Sequence, residues 1–136
     1  MTFVLDASMA LAWLLGDERS GEADGVLGRL TEDRAVVPAL WVSEMANGLL
    51  AAQRRGRIAK RDVALALELL DGLPIEVLPE SGDALRRVHR LGADLGLTAY
   101  DATYLALAIA ARLPLATLDE DLRRAARSRK VALVVS

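Results

Sequence analysis

Residues 99–111, Ala-Tyr-Asp-Ala-Thr-Tyr-Leu-Ala-Leu-Ala-Ile-Ala-Ala, constrain this chain more than any other stretch. They read as a helix that is apolar almost all the way round, and such a helix belongs inside a protein. Its one charge is Asp101, in the first turn. An ionised carboxylate is almost never fully buried without a partner. No Lys or Arg lies within a turn of it. Either Asp101 opens onto a cleft or a cation reaches it from elsewhere.

The chain has 136 residues, enough for one domain with one core, and 53% of them are apolar, which excludes disorder. It has no cysteine, so disulfides, thiolate zinc sites and a Cys nucleophile are excluded, as fits a reducing cytosol. The opening Met-Thr-Phe-Val-Leu-Asp has no basic n-region, so no signal peptide is expected there and the expected location is cytoplasmic. The charge-free part of the apolar helix, residues 102–111, is about half the length that spans a bilayer, so no membrane segment is expected.

The remaining chain alternates short apolar runs with helical patterns. Residues 3–5 read as a buried strand and 7–15 as a helix ended by Gly16-Asp17. A weaker surface helix is expected over 20–30, a strand over 34–38, and helices over 40–55 and 60–70 that form a hairpin. Strand 75–78, helix 81–95 with Leu85, Val88, Leu91 and Leu95 facing in, strand 115–118, helix 120–128 and a final strand 131–135 follow. This alternation predicts an α/β/α sandwich around a parallel sheet of short strands.

On this layout four acids share one kind of address. Asp6 and Asp119 follow strands; Glu44 and Asp101 stand in or near first turns of helices. In open parallel sheets, sites form beyond the carboxyl ends of the strands. Four carboxylates gathered there would repel one another unless a hard divalent cation joined them. Capping is the competing explanation. Asp6 and Asp119 suit N-caps, Thr98-x-x-Asp101 suits a capping box, and Ser43-Glu44 suits an N-cap with a dipole-favourable acid.

Local context favours a site: Val-Leu-Asp6-Ala-Ser8, Glu44, Leu-Thr-Ala-Tyr-Asp101-Ala-Thr-Tyr-Leu-Ala-Leu-Ala, and Ala-Thr117-Leu-Asp119-Glu-Asp-Leu. In these pieces, in their order and over its whole length, the chain resembles the PIN-domain ribonucleases, and specifically the small VapC toxins of type II toxin–antitoxin systems. The resemblance implies a PIN-like three-layer fold over residues 1–136 and a metal-dependent endoribonuclease using Mg²⁺, with Mn²⁺ able to substitute. It implies metal-binding acids at Asp6, Glu44, Asp101 and Asp119, with Asp121 able to take the fourth place, and accessory hydroxyls at Ser8 and Thr117. RNA hydrolysis to a 5′-phosphate and a 3′-hydroxyl, a cognate VapB-type antitoxin and a homodimer are implied as well. The same fold also serves PIN nucleases with a housekeeping role in RNA processing and non-catalytic RNA- or protein-binding modules; all four acids being present argues against the latter.

Charge is distributed unevenly. Residues 1–50 hold eight acids and three bases, and residues 51–136 hold eleven acids and fourteen bases. Two basic clusters, one with Arg54, Arg55 and Arg57 and the other with Arg123 and Arg124, read as solvated faces or as a phosphate-contacting rim. His89 is the only histidine and stands among arginines on a polar face, which leaves no His-based acid–base pair. Trp13, Trp41, Tyr100 and Tyr104 are expected to pack in the core or an interface. A receiver-type phosphoacceptor would need adjacent acids after the first strand and a Lys after a later one. A haloacid-type phosphatase would need an acid where Ser8 stands. Neither requirement is met.

Overall fold

A computed structural model describes residues 1–134. Four strands, β1 (Thr2–Leu5), β2 (Arg34–Pro38), β3 (Ile75–Leu78) and β4 (Leu115–Ala116), form one sheet in the order β3-β2-β1-β4. All pairings are parallel, with Phe3 opposite Ala35, Val36 opposite Glu76 and Val4 opposite Leu115. Parallel central strands are covered on both faces and so read as unbroken apolar runs. Phe3, Val4 and Leu5 are buried, as are Ala35, Val36 and Val37, whereas Glu76 and Val77 of the edge strand β3 are exposed.

The helices α1 (Ala7–Leu14), α2 (Gly21–Arg29), α3 (Ala39–Arg54), α4 (Lys60–Asp71), α5 (Ala84–Leu95), α6 (Ala99–Ala111) and α7 (Glu120–Ser128) fall into two groups. α1 packs on α2 and α3, and α3 on α4; α6 packs on α5, α7 and the strands β1, β2 and β4. The steps from β1 to β2 and from β2 to β3 advance one way across the sheet, and the step to β4 returns over it. Right-handed crossovers therefore place the two groups on opposite faces, as the three-layer expectation requires. α3 approaches α1 closely because Gly48 has no side chain: a Cβ there would lie 2.6 Å from Leu11 Cδ1. Trp13 ties α1 to α2 by donating from Nε1 to the Ala23 carbonyl at 2.7 Å. No helix among the described residues is long and apolar enough to cross a membrane.

Several boundaries differ from the sequence reading. The expected strand over 115–118 shortens to Leu115–Ala116, because Thr117 and Asp119 turn into side-chain hydrogen bonds instead of the ladder. The expected strand over 131–135 reduces to a single bridge from Leu133 to Leu115, and Val135 lies outside the described residues. α5 starts at Ala84, which takes the inward position at the right spacing before Val88, Leu91 and Leu95; Leu85 beside it is 85% exposed. α6 is not wholly internal. At 1.5 Å per residue it is about 20 Å long against about 13 Å for the strands it covers. Its ends overhang, leaving Tyr100 62% exposed and Ile109 and Ala110 open to solvent.

Candidate active site

Asp6 stands where β1 ends, its backbone N–H held by the Ala116 carbonyl of β4 at 2.9 Å. It occupies the N-cap position of α1, yet its carboxylate does not cap. Instead Oδ2 accepts hydrogen bonds from Ser8 Oγ and Thr117 Oγ1, each at 2.6 Å. Each hydroxyl in turn accepts from the loop after β4: Ser8 Oγ from the Leu118 N–H at 3.1 Å, and Thr117 Oγ1 from the Asp119 N–H at 3.0 Å. Both hydroxyl protons are thereby aimed at Asp6. Asp6 and Thr117 are the buried polar residues of the core, 5% and 2% exposed. Burial pushes the Asp6 carboxyl up and the charge of Asp119 adds to it, while the two hydroxyls oppose the rise.

Asp119 caps α7, accepting the Leu122 N–H on Oδ1 at 2.8 Å. Thr98 caps α6, its Oγ1 accepting the Asp101 N–H at 3.1 Å. That bond uses the Asp101 backbone and leaves the carboxylate to face the other acids. No Lys or Arg among the described residues pairs with it. The Asp101 carboxyl is pushed up to about 6, first by burial and then by the charges of Asp119, Asp6, Glu44 and Asp121 in that order. Four acids from distant parts of the chain thus act on one another at one end of the sheet. Asp121 contributes least, and its carboxylate is exposed and paired with Arg124 at 2.7 Å.

Glu44 is placed differently from the sequence reading. α3 begins at Ala39 after Pro38, so Ser43 and Glu44 lie in its second turn and neither caps. Glu44 is partly buried, and burial followed by the charge of Asp6 pushes its carboxyl up. The opposing influence is a hydrogen bond donated by the Tyr104 hydroxyl to Glu44 Oε1. Tyr104 was expected only to pack; it packs completely and also touches a site acid. The signal was present in the spacing, since Asp101 and Tyr104 are three residues apart and share a face of α6.

The basic clusters are less closely tied to the acids. Arg54 is ten residues beyond Glu44 on α3, about 15 Å along the axis. Arg55 follows it, and Arg57 forms ion pairs with Asp17 and Glu18. Arg123 reaches the site, but as part of its frame: Nε donates to the Thr117 carbonyl at 2.8 Å, and the guanidinium pairs with Glu22 and Glu120. Arg124 is exposed apart from its bond to Asp121.

The donor set suits a hard divalent cation. Every candidate ligand is an oxygen, and burial with mutual repulsion pushes the Asp6, Glu44 and Asp101 carboxyls above the ordinary carboxylate range, a penalty on their ionised forms that a cation would remove. Among the described residues no three acidic or imidazole groups are already closed around one point.

A parallel three-layer α/β domain with acids gathered beyond its strand ends is the class that fold and site define. The family model for the PIN domain matches residues 3–128. Ribonuclease VapC9 of Mycobacterium tuberculosis is 36% identical over 116 residues, covering 85% of this chain and 84% of that protein. Ribonuclease VapC3 of Pyrobaculum aerophilum is 31% identical over 123 residues, 90% of this chain and 92% of that protein. VapBC2 from Rickettsia felis, solved bound to a DNA fragment from their promoter, aligns over 100% of both chains with a TM-score of 0.73 at 13% identity, a likeness of fold. The chain belongs to the PIN-domain family.

Proposed function

We propose that this protein is a metal-dependent endoribonuclease and the toxin of a toxin–antitoxin pair. The observation that carries the reading is the half-buried Asp101, pushed up to about 6 first by burial and then by the charges of Asp119, Asp6, Glu44 and Asp121, with no Lys or Arg among the described residues paired to it. Relatives named as VapC ribonucleases, 36% and 31% identical, supply the substrate class.

Asp6 and Asp101 would hold Mg²⁺ or Mn²⁺ directly, with Asp119 and Glu44 holding its waters or a second ion. Bound there, the cation supplies charge neutralisation at a phosphodiester and makes a neighbouring water acidic. The protein's own part is orientation and proton handling. Ser8 and Thr117 lock Asp6 through Oδ2. Asp119 is fixed by its capping bond and Asp101 by the rigid helix beneath it. Glu44 is the acid placed to accept the proton of an attacking water. Attack on phosphorus breaks the bond to the 3′ oxygen and leaves a 5′-phosphate and a 3′-hydroxyl. Asp119 is the better fourth acid than Asp121, which is exposed and engaged by Arg124. Arg54 and Arg55 would meet the RNA backbone at a distance from the acids, and Arg124, exposed but paired with Asp121, would do so only by leaving that pair.

A VapB-type antitoxin is the partner this reading requires, in line with the VapBC complex among the fold's neighbours. A homodimer belongs to it too and would cover apolar side chains now exposed on α4 and α5, Leu65 and Leu85 among them. A cytoplasmic location goes with an RNA substrate on this reading. The test is cleavage of RNA by purified protein with Mg²⁺ or Mn²⁺, its arrest by EDTA, and its loss in Asp101→Asn with the fold retained. Full metal-dependent cleavage by that variant would overturn the assignment.

A further inference from the structure

Tyr104 has no solvent exposure, and a buried phenol is costly unless its hydroxyl finds a partner. Its partner is Glu44 Oε1, sixty residues away on another helix. Of the side chains around Glu44, Tyr104 is the one that donates to its carboxylate among the described residues. Among the described residues no Lys or Arg forms an ion pair with that carboxylate. In the second turn of α3, Glu44 also has no free helix N–H to bind. A glutamate so placed would sample several rotamers. The hydrogen bond to Tyr104 ties one of its oxygens to a ring that the core holds still. Asp101 stands on the same face of α6, one turn nearer the helix start. α6 therefore carries one site acid itself and sets the position of a second.

We infer that Tyr104 is a positioning residue, whose hydroxyl engages Glu44 Oε1 and so directs the remaining carboxylate oxygen into the cleft it shares with Asp6 and Asp101. The inference rests on the metal-dependent reading above, and it assigns to the Tyr104 hydroxyl a role that core packing alone would not require. Partners that orient a ligand from behind it set metal affinity, typically by about 10–100-fold.

The experiment measures Mn²⁺ binding to RNA-free protein by electron paramagnetic resonance, and the Mg²⁺ midpoint of RNA cleavage. Mn²⁺ binding is measured for the wild type, Tyr104→Phe, Glu44→Gln and the double variant, and the Mg²⁺ midpoint for the wild type and Tyr104→Phe. Tyr104→Phe is expected to weaken Mn²⁺ binding about ten-fold and raise the Mg²⁺ midpoint by a similar factor, with KM for RNA at saturating Mg²⁺ within about two-fold. In the Glu44→Gln background the same substitution should leave Mn²⁺ binding unchanged, because the carboxylate it orients is gone. Mn²⁺ affinity and Mg²⁺ midpoint within two-fold of wild type in Tyr104→Phe would overturn the inference, as would an equal loss in both backgrounds. Glu44→Asp is a second probe should Tyr104→Phe melt below the assay temperature: it keeps the charge but falls short of the hydroxyl. It should lose metal affinity to the same extent, and no loss there counts against the inference. A wild type that binds no Mn²⁺ overturns the functional reading and this one with it; a wild type that binds Mn²⁺ beside an unaffected Tyr104→Phe overturns this one alone.

Discussion

Replacing Asp101 with Asn should make the metal-free protein more stable. The folded-state carboxyl titrates near 6 against an ordinary value of 3.8. A carboxyl raised in this way favours the folded state while it is protonated and opposes it once ionised. Stability is therefore highest below about pH 4, falls as pH rises towards 6, and carries the full penalty above that. At about 1.4 kcal/mol per tenfold change in acidity, the gap corresponds to about 3 kcal/mol. Asp101 is only half-buried, and solvent screening reduces this to about 1–2 kcal/mol. Asn has nearly the same shape and keeps the backbone N–H that Thr98 accepts, so little else is lost. For a domain of this size the gain amounts to about 3–7 °C in melting temperature. The assay is thermal unfolding of wild type and variant in EDTA at pH 5 and pH 7.5, followed by circular dichroism. The variant should gain most at pH 7.5 and about half as much at pH 5. Added Mg²⁺ should raise the wild type and leave Asp101→Asn behind. A lower melting temperature for the variant at pH 7.5 in EDTA, or a gain that does not depend on pH, would refute the claim that Asp101 is held among unneutralised charges.

Three other outcomes are expected. Thr117→Val keeps the shape of the side chain but removes a hydroxyl that donates to the buried Asp6 carboxylate, and should cost about 1.5–3 kcal/mol of stability by urea unfolding at pH 7.5. Arg123→Ala should act mainly on stability, lowering it by about 1–3 kcal/mol, because its nitrogens bind the Thr117 carbonyl, Glu22 and Glu120; a loss confined to RNA affinity would count against that. Trp13→Phe leaves the Ala23 carbonyl without its donor in a buried setting and should destabilise by about 1–3 kcal/mol, seen as a lower urea midpoint with unchanged slope.

The layers of the fold were readable because each apolar run has the period and length of its element. The bounds of the α6 pattern, 99–111, are those of the helix itself. The ends of elements are less readable where a side chain competes with the backbone, as Thr117 does at the end of β4, or where a backbone turn precedes the helix, as Ser81 to Ala84 does ahead of α5. Asp6 illustrates the limit at the site. Its position after a strand suggested either a cap or a ligand, and only the approach of Thr117 from 111 residues away shows that the carboxylate turns from the helix to the hydroxyls. Arg123 looked like part of a phosphate rim because sequence displays a charge without the Glu22 that absorbs it. Tyr104 looked like packing because a buried ring and a buried hydroxyl donor are spelled with the same letter.

Synthesis of this chain runs from Asp6 to Asp119, and that order has a consequence. Asp6 is made 111 residues ahead of Thr117, whose hydroxyl it needs. The strand that accepts the Asp6 N–H is only two residues long and lies almost as late in the chain. A growing chain therefore holds Asp6 and Glu44 apart from Asp119 until β4 and the loop after it have been made and have folded. Partial products, whether unfinished or truncated before α7, lack the cleft. On the proposed reading the chain is inert as a nuclease until Thr117 and Asp119 have been made and folded into place, and only from then on would an inhibitor be needed.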